Sequence, residues 1–230
     1  MTSGSTRKSL VFSSIGHFYI HLFTAFYAVI VVTMADARLW RMPYEDLLQL
    51  WTLGSLMLGL CAIPAGRLGD KLGAPFMMTI FFIGMGISSI ACGFAYQPSF
   101  LMMSLAGLGV FASIYHPVGI PWLIRMAERK SVGKMLVVNG VFGSFGTAGA
   151  GIITGVLIDS VGWRAAFFAP GIVSLVTGLA MAWFLFRGHL SEPSGDKGRP
   201  GDGHSRSDMI RVFAILLISM SVGGVIYHVL

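Results

Sequence analysis

The sequence predicts an all-α integral membrane protein: a six-helix bundle of two inverted three-helix repeats, followed by a linker and a seventh transmembrane helix. Three observations carry this. Hydrophobic residues make up 55% of the chain and charged ones 11%, with a mean hydropathy of +0.76, whereas soluble domains carry about 25% charged residues. Apolar runs near 10–34, 47–66, 75–95, 99–123, 135–158, 165–186 and 209–230 are each close to the length of about 20 residues that crosses a bilayer. One pattern also occurs twice between such runs, Gly-x-Leu-x-Asp-x-x-Gly, at Gly66, Leu68, Asp70 and Gly73 and again at Gly155, Leu157, Asp159 and Gly162. Three runs per repeat make an odd number of crossings, so the two copies of this loop should lie on opposite sides of the membrane.

Taken in order, the first run follows Arg7 and Lys8 and ends at Ala35-Asp36-Ala37, which imitates a signal peptide with a small-x-small cleavage site. It is longer than the usual apolar core of about 7–15 residues and more spans follow, so it is read as the first helix. On it His17, His21, Thr24 and Ala28 fall within about 60° of one another at helical spacing, a narrow polar and small face among Phe18, Phe23 and Phe26. Runs two and three flank the loop of Gly66, Arg67, Asp70, Lys71 and Gly73. In run four Pro117 and Pro121 remove backbone donors and should bend the helix near Ser113 and His116. Run five carries Asn139 near one end and a stripe of Gly143, Thr147, Gly151 and Gly155 at every fourth residue, suited to close packing with a partner helix within the bundle or, alternatively, to a moving contact with a second bundle. Ahead of run six, Gly162 makes a tight turn and Trp163 and Arg164 anchor at the interface. The domains expected are therefore a bundle over 1–186, a flexible cytoplasmic linker over 187–208, rich in Ser, Gly, Pro and both signs of charge, and the first helix of an incomplete C-terminal bundle over 209–230.

The net charge of +6 does not point to nucleic acid, because the basic residues sit in short loops beside spans. With the N-terminus inside, Arg7, Lys8, Arg67, Lys71, Arg125, Arg129, Lys130, Lys134, Arg187, Lys197, Arg199, Arg206 and Arg211 are cytoplasmic, and only Arg38, Arg41 and Arg164 are outside. That asymmetry sets the orientation, with the cell inner membrane as the expected location and membrane lipid as a partner. Cys61 and Cys92 lie inside apolar runs and read as inert core residues.

Six spans built as three plus three, a basic-flanked Gly-x-Leu-x-Asp-Lys-x-Gly loop after the second and a polar linker after the sixth resemble the major facilitator superfamily. The match lies at Gly66, Leu68, Asp70, Lys71 and Gly73, while Ala74 and Pro75 stand where a basic residue is usual. The resemblance implies secondary active transport of a small solute by alternating access. It also implies that Asp70 helps hold two six-helix halves together, with Arg67, Arg125 or Arg129 as substitute partners. The outer segment Asp159-Ser160-Val161-Gly162-Trp163-Arg164 is similar to the loop before span six in many members. His17, His21 and Tyr115-His116-Pro117 resemble, more loosely, fosmidomycin-resistance-like exporters. Such proteins normally have two bundles, and the sequence stops at Leu230, so the missing half is expected in cis or in trans.

All ten acidic residues lie in loops or at span ends, so the ionisable groups within spans are histidines, and intramembrane ionisable residues mark functional candidates. We expect His17, His21, Thr24, Ser113, His116 and Asn139 to line a path for substrate or protons; interhelical hydrogen bonding is the plainer alternative. No cofactor or metal is expected. Facing histidines could instead hold a b-type haem in an electron carrier, and a non-transporting scaffold or partner subunit is a further alternative. An enzyme is not expected, since no Walker loop or Gly-x-Ser-x-Gly is present and Gly84-x-Gly86 lies within a span.

Overall fold

The computed structural model describes residues 3–190; the expected linker and seventh span fall largely or wholly beyond them. Five helices are long and apolar enough to cross a membrane, and a sixth crossing is formed if two helices bent by 46° are counted as one. In chain order they are α1 (Ser3–Asp36), the bent second crossing made of α2 (Tyr44–Gln49), α3 (Thr52–Leu60) and α4 (Ala62–Leu72), then α5 (Ala74–Gly93). The fourth crossing joins α6 (Pro98–Ala112), a π-helical turn (Tyr115–Gly119) and α7 (Ile120–Met126), and the last two are α8 (Val132–Val161) and α9 (Ala165–Phe186). These bounds match the first six apolar runs to within a few residues, except that α1 begins earlier and the second crossing runs on to Leu72.

One correction concerns the repeated pattern. Gly66 through Leu72 is not a loop but the last turns of α4, and Gly155 through Val161 completes α8. Only the final glycine of each copy leaves the helix: Gly73 has φ 91° and ψ 142°, and Gly162 has φ 113° and ψ 166°, a region closed to side chains. The earlier glycines of the first copy serve packing instead. A Cβ on Gly69 would lie 2.7 Å from Val118 Cγ2 and one on Gly66 3.3 Å from Pro117 Cβ, so they form the notch that receives the π-helical turn. Arg67, Asp70 and Lys71 stand exposed on the outer side of α4.

On α8 the stripe buried within this bundle differs from the every-fourth one, which excludes packing inside the bundle for Thr147 and Gly151 and leaves the contact with a second bundle. The buried positions of α8 are Met135, Asn139, Gly143, Gly146, Ala150 and Thr154, whereas Thr147 and Gly151 are exposed. Steps of four turn a helix by about 400°, so an every-fourth stripe drifts by about 40° per step, while alternating steps of three and four stay on one face. The contact stripe that meets α1 is thus 139, 143, 146 and 150, and Gly143 is the only member of the expected glycine stripe within it.

α1 is the central element because it presents two different faces. Its aromatic face packs edge-to-face on neighbouring spans, with Phe12 and Tyr19 on Phe82 of α5 at 6.4 and 5.8 Å and Phe26 on Phe167 of α9 at 5.1 Å. Its other face holds Ser13, His17 and His21. Lipid offers little hydrophobic drive for helix association, so hydroxyls and close backbones take over. Ser89 donates to the Phe167 carbonyl (2.7 Å) and Ser174 to the Phe82 carbonyl (2.9 Å), which clamp α5 to α9. The two ends of the bundle are tied separately. Thr6 donates to the Met126 carbonyl at one; at the other, Trp40 Nε1 donates to the Tyr96 carbonyl and Arg164 to that of Ala95, its guanidinium 4.3 Å above the Trp163 ring.

Candidate functional site

His17 and His21 are the fifteenth and nineteenth residues of the 34-residue α1, close to its middle. Opposite them the fourth crossing loses its regular helix. Pro117 has no N–H to give, and the chain widens into the π-helical turn that carries Tyr115 and His116. Where a bend is expected at the two prolines, the crossing runs on from Pro98 to Met126 through this irregular turn, with Pro121 in the first turn of α7. From the third side α8 comes close at Gly143 and Gly146. A Cβ on Gly143 would stand 2.7 Å from His17 Nε2, and one on Gly146 would collide with the Phe18 carbonyl. Gly143 is the slot into which the His17 ring fits, and Gly146 lets the α1 backbone approach at Phe18.

Two sets of polar groups result. The buried set is Ser13, Tyr115 and Asn139, each 2% exposed or less. The Tyr115 hydroxyl donates to the Ser13 carbonyl (2.9 Å), Asn139 Nδ2 donates to Tyr115 Oη (3.0 Å) and Ser13 Oγ (3.2 Å), and Ser13 Oγ donates to the Gly119 carbonyl (3.2 Å). This network joins α1, the π-helical turn and α8.

The second set is the three histidines. His17 Nδ1 lies 2.9 Å from the Asn139 carbonyl, an acceptor only, so this nitrogen carries the proton. His17 Nε2 is then an acceptor, and His21 Nε2, 3.2 Å away, must be the donor to it. This leaves Nδ1 of His21 without a hydrogen bond among the described residues. The His17 ring stacks on Tyr115 at 5.1 Å and 23°, and His116 meets His17 and His21 edge-on at 5.7 and 5.9 Å. His116 is exposed and the other two are half-buried.

Of the residues expected here, His17, His21, His116 and Asn139 come together, the last through both its carbonyl and its amide. Thr24 and Ser113 do not join them. Thr24 Oγ1 donates back to the Ile20 carbonyl (2.8 Å), and Ser113 Oγ to that of Val110 (2.6 Å), while Ser113 lines an apolar groove with Pro64, Leu68 and Met77. Sequence reasoning missed Ser13, and it named Tyr115 only as part of the Tyr115-His116-Pro117 resemblance and not as a site residue. Ser13 is one turn before His17 on the same face, and Tyr115 adjoins His116, so extending the polar stripe one turn back would have found the first. Among the described residues no group of three or more His, Cys, Asp or Glu side chains is arranged to hold a metal ion.

Comparison with known proteins accords with this architecture. Residues 12–229 match the family model described as Major Facilitator Superfamily. The tetracenomycin C resistance and export protein of Streptomyces glaucescens is 29% identical over 130 residues, 55% of this chain and 24% of its own length. The methyl viologen resistance protein SmvA of Salmonella typhimurium is 26% identical over 180 residues, 77% of this chain and 34% of its own length. A bacterial homologue of the human lysosomal transporter Spinster, solved inward-facing and unoccupied, superposes with a TM-score of 0.69 at 16% identity. That alignment covers 88% of this chain and 48% of the solved one, so the fold is shared. The chain spans about a quarter to a third of the length of these curated relatives. With the family model matched over nearly all of it, the chain belongs to the Major Facilitator Superfamily, a family of membrane transporters and not of enzymes.

Proposed function

We propose that this chain is the N-terminal portion of a secondary transporter that moves a small solute by alternating access, with spans one and four lining the path. In this reading residues 1–186 form two inverted three-helix repeats, the N-terminus is cytoplasmic, and a second bundle supplied in cis or in trans completes the cavity. The names of both curated relatives refer to resistance to small organic compounds or their export, which supports a small solute as the cargo. Asp70, exposed at the end of α4, is then available to the second bundle rather than to the solute.

The observation that carries the proposal is the gathering of His17, His21 and His116 at mid-helix depth, with ring nitrogens left open, beside a network that pairs Ser13, Tyr115 and Asn139 with one another. Ionisable groups at that depth are costly unless they face a cavity or a partner. The test is transport rate against pH in vesicles holding the chain with its complementary bundle. His21→Gln and His116→Gln should each lower transport and flatten its pH dependence while the folded yield stays normal, because glutamine keeps a hydrogen bond and loses the titration. Unchanged, equally pH-dependent transport in both variants would refute the role, and loss of folded protein in both would return the histidines to a structural one.

A further inference from the structure

The hydrogen bonds of the histidine pair fix where an added proton goes. In the neutral pair, His17 donates from Nδ1 to the Asn139 carbonyl and accepts at Nε2 from His21. The only basic ring nitrogen left on the pair is Nδ1 of His21. Protonation there leaves both existing bonds intact and produces an imidazolium whose second N–H has no acceptor among the described residues. The charge is shared along the chain His21, His17 and the Asn139 carbonyl, since the bridging proton can sit on either Nε2.

A charge of this kind at membrane depth needs a counter-charge. The groups facing the pair are His116 and Tyr115 from the π-helical turn, and Gly143, Gly146 and the Asn139 carbonyl from α8. None is an anion. The carboxylates of the described residues are Asp36, Glu45, Asp46, Asp70, Glu128 and Asp159, every one at a helix end or in a loop. The exposed ring of His116, 5.7 Å from that of His17 and 5.9 Å from that of His21, puts a third imidazole beside the pair. Two imidazole N–H groups on neighbouring rings suit a planar, two-oxygen acceptor, which a carboxylate offers.

We propose that this site binds an organic carboxylate, held by Nδ1–H of His21 and by His116, and that the anion and the proton on the His17–His21 pair bind cooperatively. The inference rests on the transport reading and names the class of solute. Each ligand supplies what the other lacks: the proton gives the anion a cation, and the anion gives the buried charge its partner, so by linkage each tightens the other equally. A cationic solute would find no counter-charge on these spans and would be repelled by the charged pair.

The test uses the full chain in lipid nanodiscs, with benzoate as the anionic probe and benzyltrimethylammonium as its cationic counterpart, titrated calorimetrically at about pH 5.5 and about pH 8. Benzoate should bind at least about tenfold more tightly at the lower pH, the size of a modest coupling between sites, and the cation should bind at neither. His21→Gln, checked for folding by gel filtration, should abolish the pH dependence, while Thr24→Ala, one turn away, should leave it in place. Equal benzoate affinity at both pH values, no benzoate binding, preference for the cation or an unaltered profile in folded His21→Gln would each overturn the proposal. Transport need not be measured, so the two readings fail separately: a transporting protein without benzoate coupling loses only the carboxylate assignment, and a benzoate-coupled chain that never transports loses only the transport reading.

Discussion

Ser13, Tyr115 and Asn139 share α1, the π-helical turn and α8 with His17, His21 and His116, yet the two groups are built in opposite ways. In the first, each polar side chain has a partner within 3.2 Å and is shut away from its surroundings. In the second, hydrogen bonds run in one direction and stop at an open nitrogen of His21, while His116 is exposed. The closed group holds three spans in register. The open one is free to meet something that arrives. Asn139 belongs to both, its amide to the closed group and its carbonyl to the open one, so the tautomer of His17 depends on the same helix that seals the network.

The comparison can be broken most severely at the glycine slot, because both groups need α1 and α8 in contact. Gly146→Ala places a methyl group against the Phe18 carbonyl, which is backbone and cannot rotate away. We expect a loss of about 1–3 kcal/mol, the usual cost of overpacking, read as a lower midpoint in thermal unfolding followed by gel filtration. Gly151→Ala, where nothing lies within 4 Å, is the matched control and should leave the midpoint unchanged.

A smaller effect is expected from the closed group alone. Asn139→Leu removes the donors to Tyr115 Oη and Ser13 Oγ but leaves its own backbone carbonyl for His17. Stability should fall by about 1–2 kcal/mol, since hydrogen bonds between membrane helices average well under that each while groups left unpaired in the interior add to it. The His17–His21 pair should survive in whatever protein folds, seen as unshifted imidazole nitrogen resonances. Disruption of the pair together with the network would show that the two groups are a single unit.

Asp70 lies outside both groups and should affect stability least. Its side chain is exposed at the end of α4, so Asp70→Asn should change the unfolding midpoint by no more than about 0.5 kcal/mol equivalent. In vesicles with the complementary bundle, however, it should lower transport, as a contact between halves requires. A large stability loss in this chain alone would mean that Asp70 works within its own bundle.

The repeated junctions show which parts of this architecture can be read from residues. Apolar length located the crossings, and the prolines of the fourth announced an irregular turn, because hydropathy and a missing N–H are local properties. The Gly66–Gly73 and Gly155–Gly162 patterns read as loops because glycine serves both turns and close packing, and only contact with Val118 reveals which use Gly69 has. The stripe on α8 was ambiguous for a related reason: spacing shows which residues share a face, but the face that is buried depends on where α1 lies. Thr24 and Ser113 were expected in the site on type and position, yet their hydroxyls close on their own helices, as such residues in membrane helices often do. The histidines were legible because an ionisable side chain in an apolar run is costly unless it meets a partner or a cavity.

The claim that one group is sealed and the other open is tested most directly by water access. In a background with Cys61 and Cys92 replaced by alanine, single cysteines at Ser13 and at His116 would be treated in lipid nanodiscs with a charged, lipid-insoluble thiosulfonate reagent. His116→Cys should react readily, because His116 is exposed on the π-helical turn and faces the path in the proposed reading. Ser13→Cys should stay unmodified in the folded protein, closed in among Tyr115, Asn139 and Gly119. Reaction at Ser13→Cys, or none at His116→Cys, would contradict the account, the first by opening the network and the second by turning the histidines toward lipid.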